Sequence, residues 1–267
     1  MNDSNLGTAL ITGASTGIGA LYAERLAARG YDLILVARNE DRLQDLAGRL
    51  EQHSGRKVRT VRADLTVDDE LRQVETLLRT DSSITMLVNN AGVGATGPLL
   101  ESDIGKMDDM IALNVTALTR LTYAAAPGFA ARGHGTFINI ASIVAIAPEL
   151  LNGVYGATKA YVLALSQSLK HELGERGVRV QVVLPGATAT EFWSAAGLPV
   201  EHLPQEIVMR ADAMVDAALA GLDLGEFATL PGLEDGAKYQ AFESARTAMH
   251  GELSGSAPAS RYTGRPA

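Results

Sequence analysis

The sequence predicts a single-domain α/β fold, in which a doubly wound, mostly parallel sheet of about seven strands is covered by helices on both faces. Two observations support this prediction. Short apolar runs alternate along the chain with segments of helical spacing, and a glycine-rich turn follows the first of these runs. Strands that alternate with helices join through right-handed crossovers, which gives a parallel sheet with two covered faces. A length of 267 residues is sufficient for one such domain.

The predicted strands are the apolar runs, which are typical of strands buried on both faces. They cover residues 8–12, 31–37, 57–63, 85–89, 135–141, 178–184 and 227–230. The helices between them show apolar residues at helical spacing. They cover about 18–29, 40–53, 68–78, 103–131, 154–175 and 211–222. Asn39 is a suitable N-cap for the second helix, and Gly30 and Gly177 follow the first and fifth helices as terminating glycines.

The fold is expected to occupy residues 1–253. Within it, residues 189–209 combine prolines and Gly197 with apolar side chains, a composition that suits either a mobile substrate lid or a fixed surface helix pair. Residues 254–267 are rich in Gly, Pro, Ser and Ala and are expected to form a flexible C-terminal tail.

Composition excludes several classes of function. The chain contains no cysteine, so thiolate nucleophiles, disulfides and Cys-ligated zinc are ruled out. A formal net charge of -8 argues against partners that need a basic surface, such as nucleic acid or anionic membranes. The five histidines are scattered without metal-ligand spacing, so no metal site is predicted.

The sequence shows neither the pattern of a signal peptide nor that of a membrane-spanning helix. The first residues, MNDSNLG, lack the charged-then-apolar layout of a signal peptide, and no run of about 18 apolar residues occurs. We therefore expect a cytoplasmic protein without a membrane partner.

The turn TGASTGIG carries glycines at positions 13, 17 and 19 between the first strand and the first helix. Glycine lets the backbone turn tightly, and lets a pyrophosphate approach the positive end of a helix. A strand-to-helix turn without a ligand is the plain alternative. The position of this turn, after the first strand of an alternating α/β chain, favours a dinucleotide site.

The end of the second strand bears on which dinucleotide binds. An NAD site usually has an acidic residue there, which bonds the ribose 2′-hydroxyl, whereas an arginine accommodates a 2′-phosphate. Here the strand ends at Ala37 and Arg38, and the acids Glu40 and Asp41 come later. Arg38 could instead be a solvated loop residue, but the pattern favours NADP(H).

Further motifs follow the later strands in a fixed order. They are Asn89-Asn90-Ala91-Gly92, Asn114, Ser142, Tyr155-x-x-x-Lys159, and Pro185-Gly186 with Thr188. Together with the glycine turn, this set resembles the short-chain dehydrogenase/reductase family, in its shorter branch of about 250 residues. The resemblance implies a Rossmann fold, an NADP(H)-dependent oxidoreductase activity, and a homotetramer or dimer formed through the helices at about 103–131 and 154–175. The apolar residues of the second of these helices could equally form a thick core contact.

The resemblance also implies a set of cofactor-binding residues at the carboxyl ends of the strands, where open α/β sheets bind ligands. The cofactor turn would consist of Gly13, Ser15, Gly17, Ile18 and Gly19. The 2′-phosphate would meet Arg38, the adenine would meet Asp64 and Leu65, and the ribose would lie beside Asn90, Ala91 and Gly92. The nicotinamide end would be held by Pro185, Gly186 and Thr188, and the cofactor would also be contacted by Tyr155 and Lys159.

Four residues would carry the chemistry. By resemblance, Ser142 would polarise the substrate oxygen and Tyr155 would deliver or remove its proton. A free tyrosine has a pKa of about 10, and Lys159, one helical turn away, is expected to lower it together with the positive nicotinamide ring. Asn114 would hold a water that relays protons from Lys159.

The predicted function is hydride transfer between NADP(H) and a carbonyl or secondary alcohol of a moderately apolar substrate, the activity of a carbonyl reductase. Residues 143–153 and 189–209 are expected to select that substrate, because both segments are mostly apolar. The alternatives are a 3-oxoacyl thioester reductase, which would use the same residues, and an NADP-binding regulatory protein without turnover.

Overall fold

The computed structural model of the protein describes residues 6–263. Its strands, in chain order, are β1 (Thr8–Thr12), β2 (Asp32–Ala37), β3 (Val58–Arg62), β4 (Ile84–Asn89), β5 (Gly135–Ile140), β6 (Val178–Val183), β7 (Thr188–Ala189), β8 (Met209–Arg210) and β9 (Ala228–Thr229). Its α-helices are α1 (Gly17–Ala28), α2 (Glu40–Ser54), α3 (Asp68–Thr80), α4 (Ile104–Ile111), α5 (Leu118–Arg132), α6 (Gly153–Leu173), α7 (Phe192–Ala195), α8 (Ala211–Asp223) and α9 (Ala237–Ala248).

The central sheet confirms the predicted fold class. It has seven strands in the order β3-β2-β1-β4-β5-β6-β9, and every neighbouring pair is parallel. The strand order reverses between β1 and β4, so the loops that leave these two strands diverge to opposite sides. In an open α/β sheet, the crevice at such a reversal is where ligands bind.

Helices cover both faces of this sheet, as the alternation of strands and helices predicts. Leucines of α1 and α2 and Met214 of α8 pack into the core on one face. Side chains of α3 and α5, together with Leu169 of α6, pack into the core on the other. Within the described part of the chain, every helix is too short or too polar to span a bilayer.

Three elements differ from the sequence-based prediction. The helix predicted over 103–131 is two α-helices, α4 and α5, joined by a π-helical segment at Ala112–Ala117. The two-residue strands β7 and β8 are also additional. They pair with each other and so join the two ends of the predicted lid, residues 189–209. Helix α9 is also additional, and none of its residues is buried.

The described chain forms two compact units, residues 6–232 and 233–263. The first contains the complete seven-stranded sheet, and the second contains α9. The predicted boundary at residue 253 and the flexible tail after it stay predictions. Residues 1–5, part of the segment behind the cytoplasmic expectation, and residues 264–267 of the predicted tail lie outside the described residues.

Candidate active site

The glycine turn joins β1 to α1, with a backbone that only glycine adopts without strain. Gly13 and Gly17 have φ angles of 65° and 54°, in the left-handed region. Position 19 has no room for a side chain, because a Cβ there would collide with the Gly13 carbonyl and lie 2.5 Å from Asn90 Nδ2. The predicted glycines therefore shape one tight turn at the N-terminus of a 12-residue helix.

The glycine turn is fastened to the turn that follows β4. Asn90 Nδ2 donates to the carbonyl oxygens of Thr12 (2.8 Å) and Gly13 (3.2 Å). In return, Thr12 Oγ1 accepts the backbone N–H groups of Asn90 and Ala91, both at 3.0 Å. The loops on either side of the strand reversal thus form one rigid rim, which satisfies the buried polar groups of both turns.

Other predicted residues lie around this rim. Ser15 and Ile18 are partly exposed within the turn. Thr190, at the start of the predicted lid, lies against Gly17, because a Cβ on that glycine would come 3.3 Å from Thr190 Cγ2. Thr190 was not among the predicted cofactor residues. A hydroxyl residue five positions after Pro185 gives no signal of its own in the sequence.

Arg38 lies at the carboxyl end of β2 with 71% of its side chain exposed, and its nearest acid is Asp64 at 3.9 Å. Partial burial opposes ionisation of Asp64, but hydrogen bonds from Thr66 and the charge of Arg38 outweigh it, so the pKa of Asp64 is lowered. Leu65 is buried in the core below this edge. An exposed guanidinium and a glycine turn at a helix N-terminus fit a dinucleotide that carries an additional phosphate.

Tyr155, Lys159 and Ser142 converge where β5 ends and α6 begins. Lys159 Nζ donates to the carbonyl oxygen of Ile140 at 2.9 Å and lies 5.8 Å from the centre of the Tyr155 ring. Ser142 Oγ donates to the Pro185 carbonyl at 3.3 Å and also bonds the Tyr155 hydroxyl. The structure brings these three predicted catalytic side chains together.

The ionisation of the pair differs from the sequence-based expectation. Burial raises the pKa of Tyr155 to about 12, against a smaller opposing effect of the Ser142 hydrogen bond. Burial also lowers the pKa of Lys159 to about 8. Lys159 was expected to depress the pKa of Tyr155, but desolvation dominates here because both charged forms lose water in the same pocket. Tyr155 is therefore a protonated donor at neutral pH.

Asn114 lies within the π-helical segment, and its side chain is buried. Its Oδ1 accepts from the Val93 N–H at 2.9 Å, and its Nδ2 donates to the Val93 carbonyl at 2.8 Å and to Thr158 Oγ1 at 3.1 Å. A Cβ on Gly92 would lie 3.1 Å from Asn114 Oδ1 and 3.5 Å from Lys159 Nζ. Asn114 and Lys159 thus border the same glycine, and a π-helical segment is a common feature of functional sites.

The residues after β6 close the other side of the site. The Pro185 carbonyl accepts the Ile143 N–H at 3.0 Å, which joins this loop to the loop that carries Ser142. Thr188 is buried, and its Oγ1 donates to the Gly186 carbonyl at 3.1 Å. The Thr188 carbonyl accepts the indole N–H of Trp193 at 2.9 Å, so it anchors the following helix.

Helix α7, within residues 189–209, covers Tyr155. The Phe192 ring lies 5.7 Å from the Tyr155 ring and packs edge-on against Trp193. Gly94 provides the space for it, because a Cβ there would collide with the Phe192 ring. Thr96 Oγ1 also donates to the Ala196 carbonyl at 3.0 Å. This segment therefore lies closed over the tyrosine, and 5% of Tyr155 is exposed.

Apolar side chains pack around the Tyr155 ring, and we call this group the Tyr155 cluster. Its members are Met107, Met110, Val144 and Tyr155, with Val93, Ala95, Leu151, Val154 and Phe192 packed against them. These side chains border the tyrosine together with Ser142 and Lys159, and apolar walls of this kind favour an apolar molecule.

Comparison with known proteins agrees with this geometry. Residues 7–198 match the family model for short chain dehydrogenases. A short-chain dehydrogenase from Sphingobium yanoikuyae, solved in complex with NADPH, is 48% identical with a TM-score of 0.93, over 96% of this chain and 100% of that one. The bulky-bulky ketone specific alcohol dehydrogenase from Comamonas testosteroni is 45% identical with a TM-score of 0.89, over 97% and 99% of the two chains.

A curated relative is more distant. The very-long-chain 3-oxoacyl-CoA reductase of Rattus norvegicus is 35% identical over 188 residues, which are 69% of this chain. The chain spans 60% of the length of that relative. The family model covers the glycine turn, the catalytic side chains and the residues after β6 in one continuous match, so this chain belongs to the short-chain dehydrogenase family.

Proposed function

We propose that this protein is an NADP(H)-dependent carbonyl reductase, which interconverts ketones that carry apolar groups on both sides and their secondary alcohols. The observation that supports this most directly is the Tyr155 cluster, where a protonated phenol next to Ser142 and Lys159 is packed among apolar side chains. The similar proteins from Sphingobium and Comamonas, one bound to NADPH and the other specific for bulky-bulky ketones, support the same cofactor and substrate class.

The glycine turn and Arg38 would hold the dinucleotide, and its nicotinamide would supply or accept the hydride. Ser142 would donate a hydrogen bond to the carbonyl oxygen as negative charge develops on it. Tyr155 would then transfer its phenolic proton to that oxygen. Lys159 would stabilise the phenolate that remains on Tyr155. A water held at Asn114 would relay protons through Lys159 back to that phenolate.

Turnover of NADPH with a panel of carbonyl compounds tests this proposal. We expect oxidation of NADPH with ketones flanked by aryl or branched alkyl groups, and little with sugars. Tyr155→Phe should reduce kcat by about 100-fold or more, the usual contribution of a positioned acid, while NADPH still binds. Tight NADPH binding without turnover of any carbonyl would overturn the proposal in favour of a regulatory role, and unchanged turnover in Tyr155→Phe would exclude the mechanism.

Reduction of a 3-oxoacyl thioester is a second candidate, which the similarity to the rat 3-oxoacyl-CoA reductase supports. Such a substrate brings the phosphates of its carrier to the mouth of the site. Residues 189–209 contain no lysine or arginine to receive those phosphates. A comparison of kcat/KM for 3-oxoacyl-CoA and for the simple ketones separates the two candidates, and we expect the ketones to be preferred.

We also propose that residues 189–209 open as a lid, that the protein is a homodimer or homotetramer, and that it works in the cytoplasm. The packing of Phe192 on Tyr155 supports the lid, since this segment covers the ring of a tyrosine that is only 5% exposed. Exposed Tyr123 of α5 and partly exposed Tyr161 of α6 support an interface on these helices. The leucines of α6 do not add to it, because Leu163 and Leu169 pack inside the protein. Sedimentation velocity would measure the assembly.

A further inference from the structure

Asn152, the residue before α6, makes four side-chain hydrogen bonds although it is almost fully buried. Its Oδ1 accepts the N–H groups of Val154 (2.9 Å) and Tyr155 (3.2 Å). Its Nδ2 donates to the Gly97 carbonyl (2.7 Å) and to Ser102 Oγ (3.1 Å). The carbonyl half therefore contacts the catalytic helix, whereas the amide half contacts the loop after β4.

The carbonyl half fixes the backbone of the catalytic tyrosine itself. The first N–H groups of a helix have no partner within the helix, and an N-cap side chain supplies one. Here one of the two capped groups belongs to Tyr155. The phenol of Tyr155 must meet both Ser142 and the substrate oxygen, so a shift of its backbone would displace the proton donor.

The amide half fixes the loop of residues 93–102, which we call the substrate-side loop. Its Val93 and Ala95 belong to the Tyr155 cluster, and its Thr96 bonds the Ala196 carbonyl next to α7. Ser102 Oγ donates in turn to the Pro98 carbonyl at 2.8 Å, so the end of this loop is a compact hydrogen-bonded turn.

Only a side chain with both an acceptor and a donor at this reach connects the two elements. Alanine lacks both groups, and an ionised carboxylate keeps the acceptor for the helix but turns a second acceptor toward the Gly97 carbonyl. A protonated carboxyl keeps the acceptor and offers one O–H donor in place of the two N–H donors of asparagine.

We propose that Asn152 is a positioning residue, which holds the substrate-side loop at a fixed distance from the Tyr155 hydroxyl so that a bound ketone meets its proton donor. This inference rests on the proposed function, and it adds a determinant that the set of catalytic residues Asn114, Ser142, Tyr155 and Lys159 does not include.

Kinetics of three variants separate the two halves of this contact. Asn152→Ala should lower kcat by about 10- to 100-fold, the range expected when a reacting group is misplaced by roughly 1 Å. Ser102→Ala removes one contact of the amide half and leaves the cap intact. It should raise KM for bulky ketones several-fold, with kcat within about twofold.

Asn152→Asp provides a pH signature that a plain helix cap would not produce. At low pH the introduced carboxyl is protonated and can donate to the Gly97 carbonyl, so the ratio of variant to wild-type kcat should be highest there. The ratio should fall as the carboxyl ionises. Among the side chains and backbone groups that Asn152 bonds, Tyr155 is the titratable one, and its pKa of about 12 lies above the assay range.

Asp103→Ala is the matched control, because Asp103 caps α4 through the Lys106 N–H at 3.0 Å, next to the same loop, and among the described residues its side chain has no hydrogen bond to α6. It should lower Tm and leave kcat and KM within twofold. Equal effects of Asp103→Ala and Asn152→Ala, or a ratio for Asn152→Asp that does not change with pH, would overturn the proposal.

Hydrogen exchange tests the same link without turnover. In Asn152→Ala, amide protection should fall both at residues 93–102 and at residues 153–156. Unchanged protection of the substrate-side loop would overturn the proposal even if the enzyme were inactive on every carbonyl tried. Inactivity of the wild type would contradict the proposed function alone.

Discussion

At the scale of single residues, burial rather than charge pairing governs the ionisation of the catalytic pair. Desolvation favours the neutral form of each group, so the pKa of Tyr155 rises to about 12 and that of Lys159 falls to about 8. Between these two values the protein without cofactor holds both groups uncharged. We propose that a cationic nicotinamide and the hydroxyls of a ribose would add the positive charge and the hydrogen bonds that this pocket lacks.

The burial of Lys159 predicts how the free energy of unfolding depends on pH. The pKa of Lys159 is lowered from 10.5 to about 8 in the folded protein. Between those values the unfolded state binds more protons than the folded state, so stability rises as the pH increases from about 8 toward 10.5. Relative to Lys159→Met, which has no such titration, the wild type should gain about 2–3 kcal/mol from pH 7 to pH 10.

Urea unfolding of both proteins without nucleotide, at pH 7, 8.5 and 10, measures this difference. The pH range ends at 10 because the raised pKa of Tyr155 makes stability fall between about 10 and 12. A difference between the two proteins that stayed constant with pH would show that Lys159 is solvated and that burial does not control its charge.

What the sequence could predict at this scale was where the candidate site residues lie, because their spacing follows the strand ends. Gly13, Arg38 and Tyr155 each lie at such a position. The balance of pKa effects could not be predicted, because it depends on how much water reaches the pocket. The positions of Asn152 and Thr190 could not be predicted for a related reason, since each depends on a contact with a segment far away in the chain.

At the scale of elements, the buried parallel strands and the amphipathic helices were predictable because burial imposes a periodic pattern. The π-helical segment was not, because a single extra residue per turn leaves no signature in hydrophobic spacing. The pairing of β7 with β8 also has none, since each strand has only two residues. These two irregular elements position Asn114 and the base of residues 189–209.

The proposed lid, residues 189–209, leads to a prediction at the scale of elements. An alanine methyl at position 94 would collide with the Phe192 ring, so Gly94→Ala should displace α7 from Tyr155. Trp193 is the only tryptophan and is buried beside Phe192, so its fluorescence reports the position of this helix. We expect a red shift of the emission and a several-fold change in KM for bulky ketones, because the wall above the tyrosine moves.

Gly97→Ala is the control for this change. It lies in the same loop, and its added methyl would meet only Ser102 Oγ, at 3.9 Å. Its emission spectrum and KM should match those of the wild type. If Gly94→Ala retained a buried Trp193 signal, the contact between residues 94 and 192 would not hold the lid closed.

At the scale of the whole molecule, the cofactor and the fold are linked by binding. The glycine turn, Asn90 and Arg38 come from three different strand ends, so the site exists only in the folded sheet. A ligand that binds only the folded state stabilises it by about 2.7 kcal/mol at 100 times its Kd. For a domain of this size that corresponds to an increase in Tm of roughly 5–10 °C.

This linkage distinguishes the two nicotinamide cofactors. NADPH should raise Tm by several degrees more than NADH at equal concentration, because Arg38 is exposed at the end of β2 and lies no nearer than 3.9 Å to Asp64. Arg38→Ala should abolish most of that difference and leave the smaller effect of NADH. Arg49→Ala removes an exposed arginine from the middle of α2, and so changes the net charge equally. That control should preserve the preference for NADPH, so a loss of preference in both variants would assign it to general electrostatics and not to a 2′-phosphate contact at Arg38.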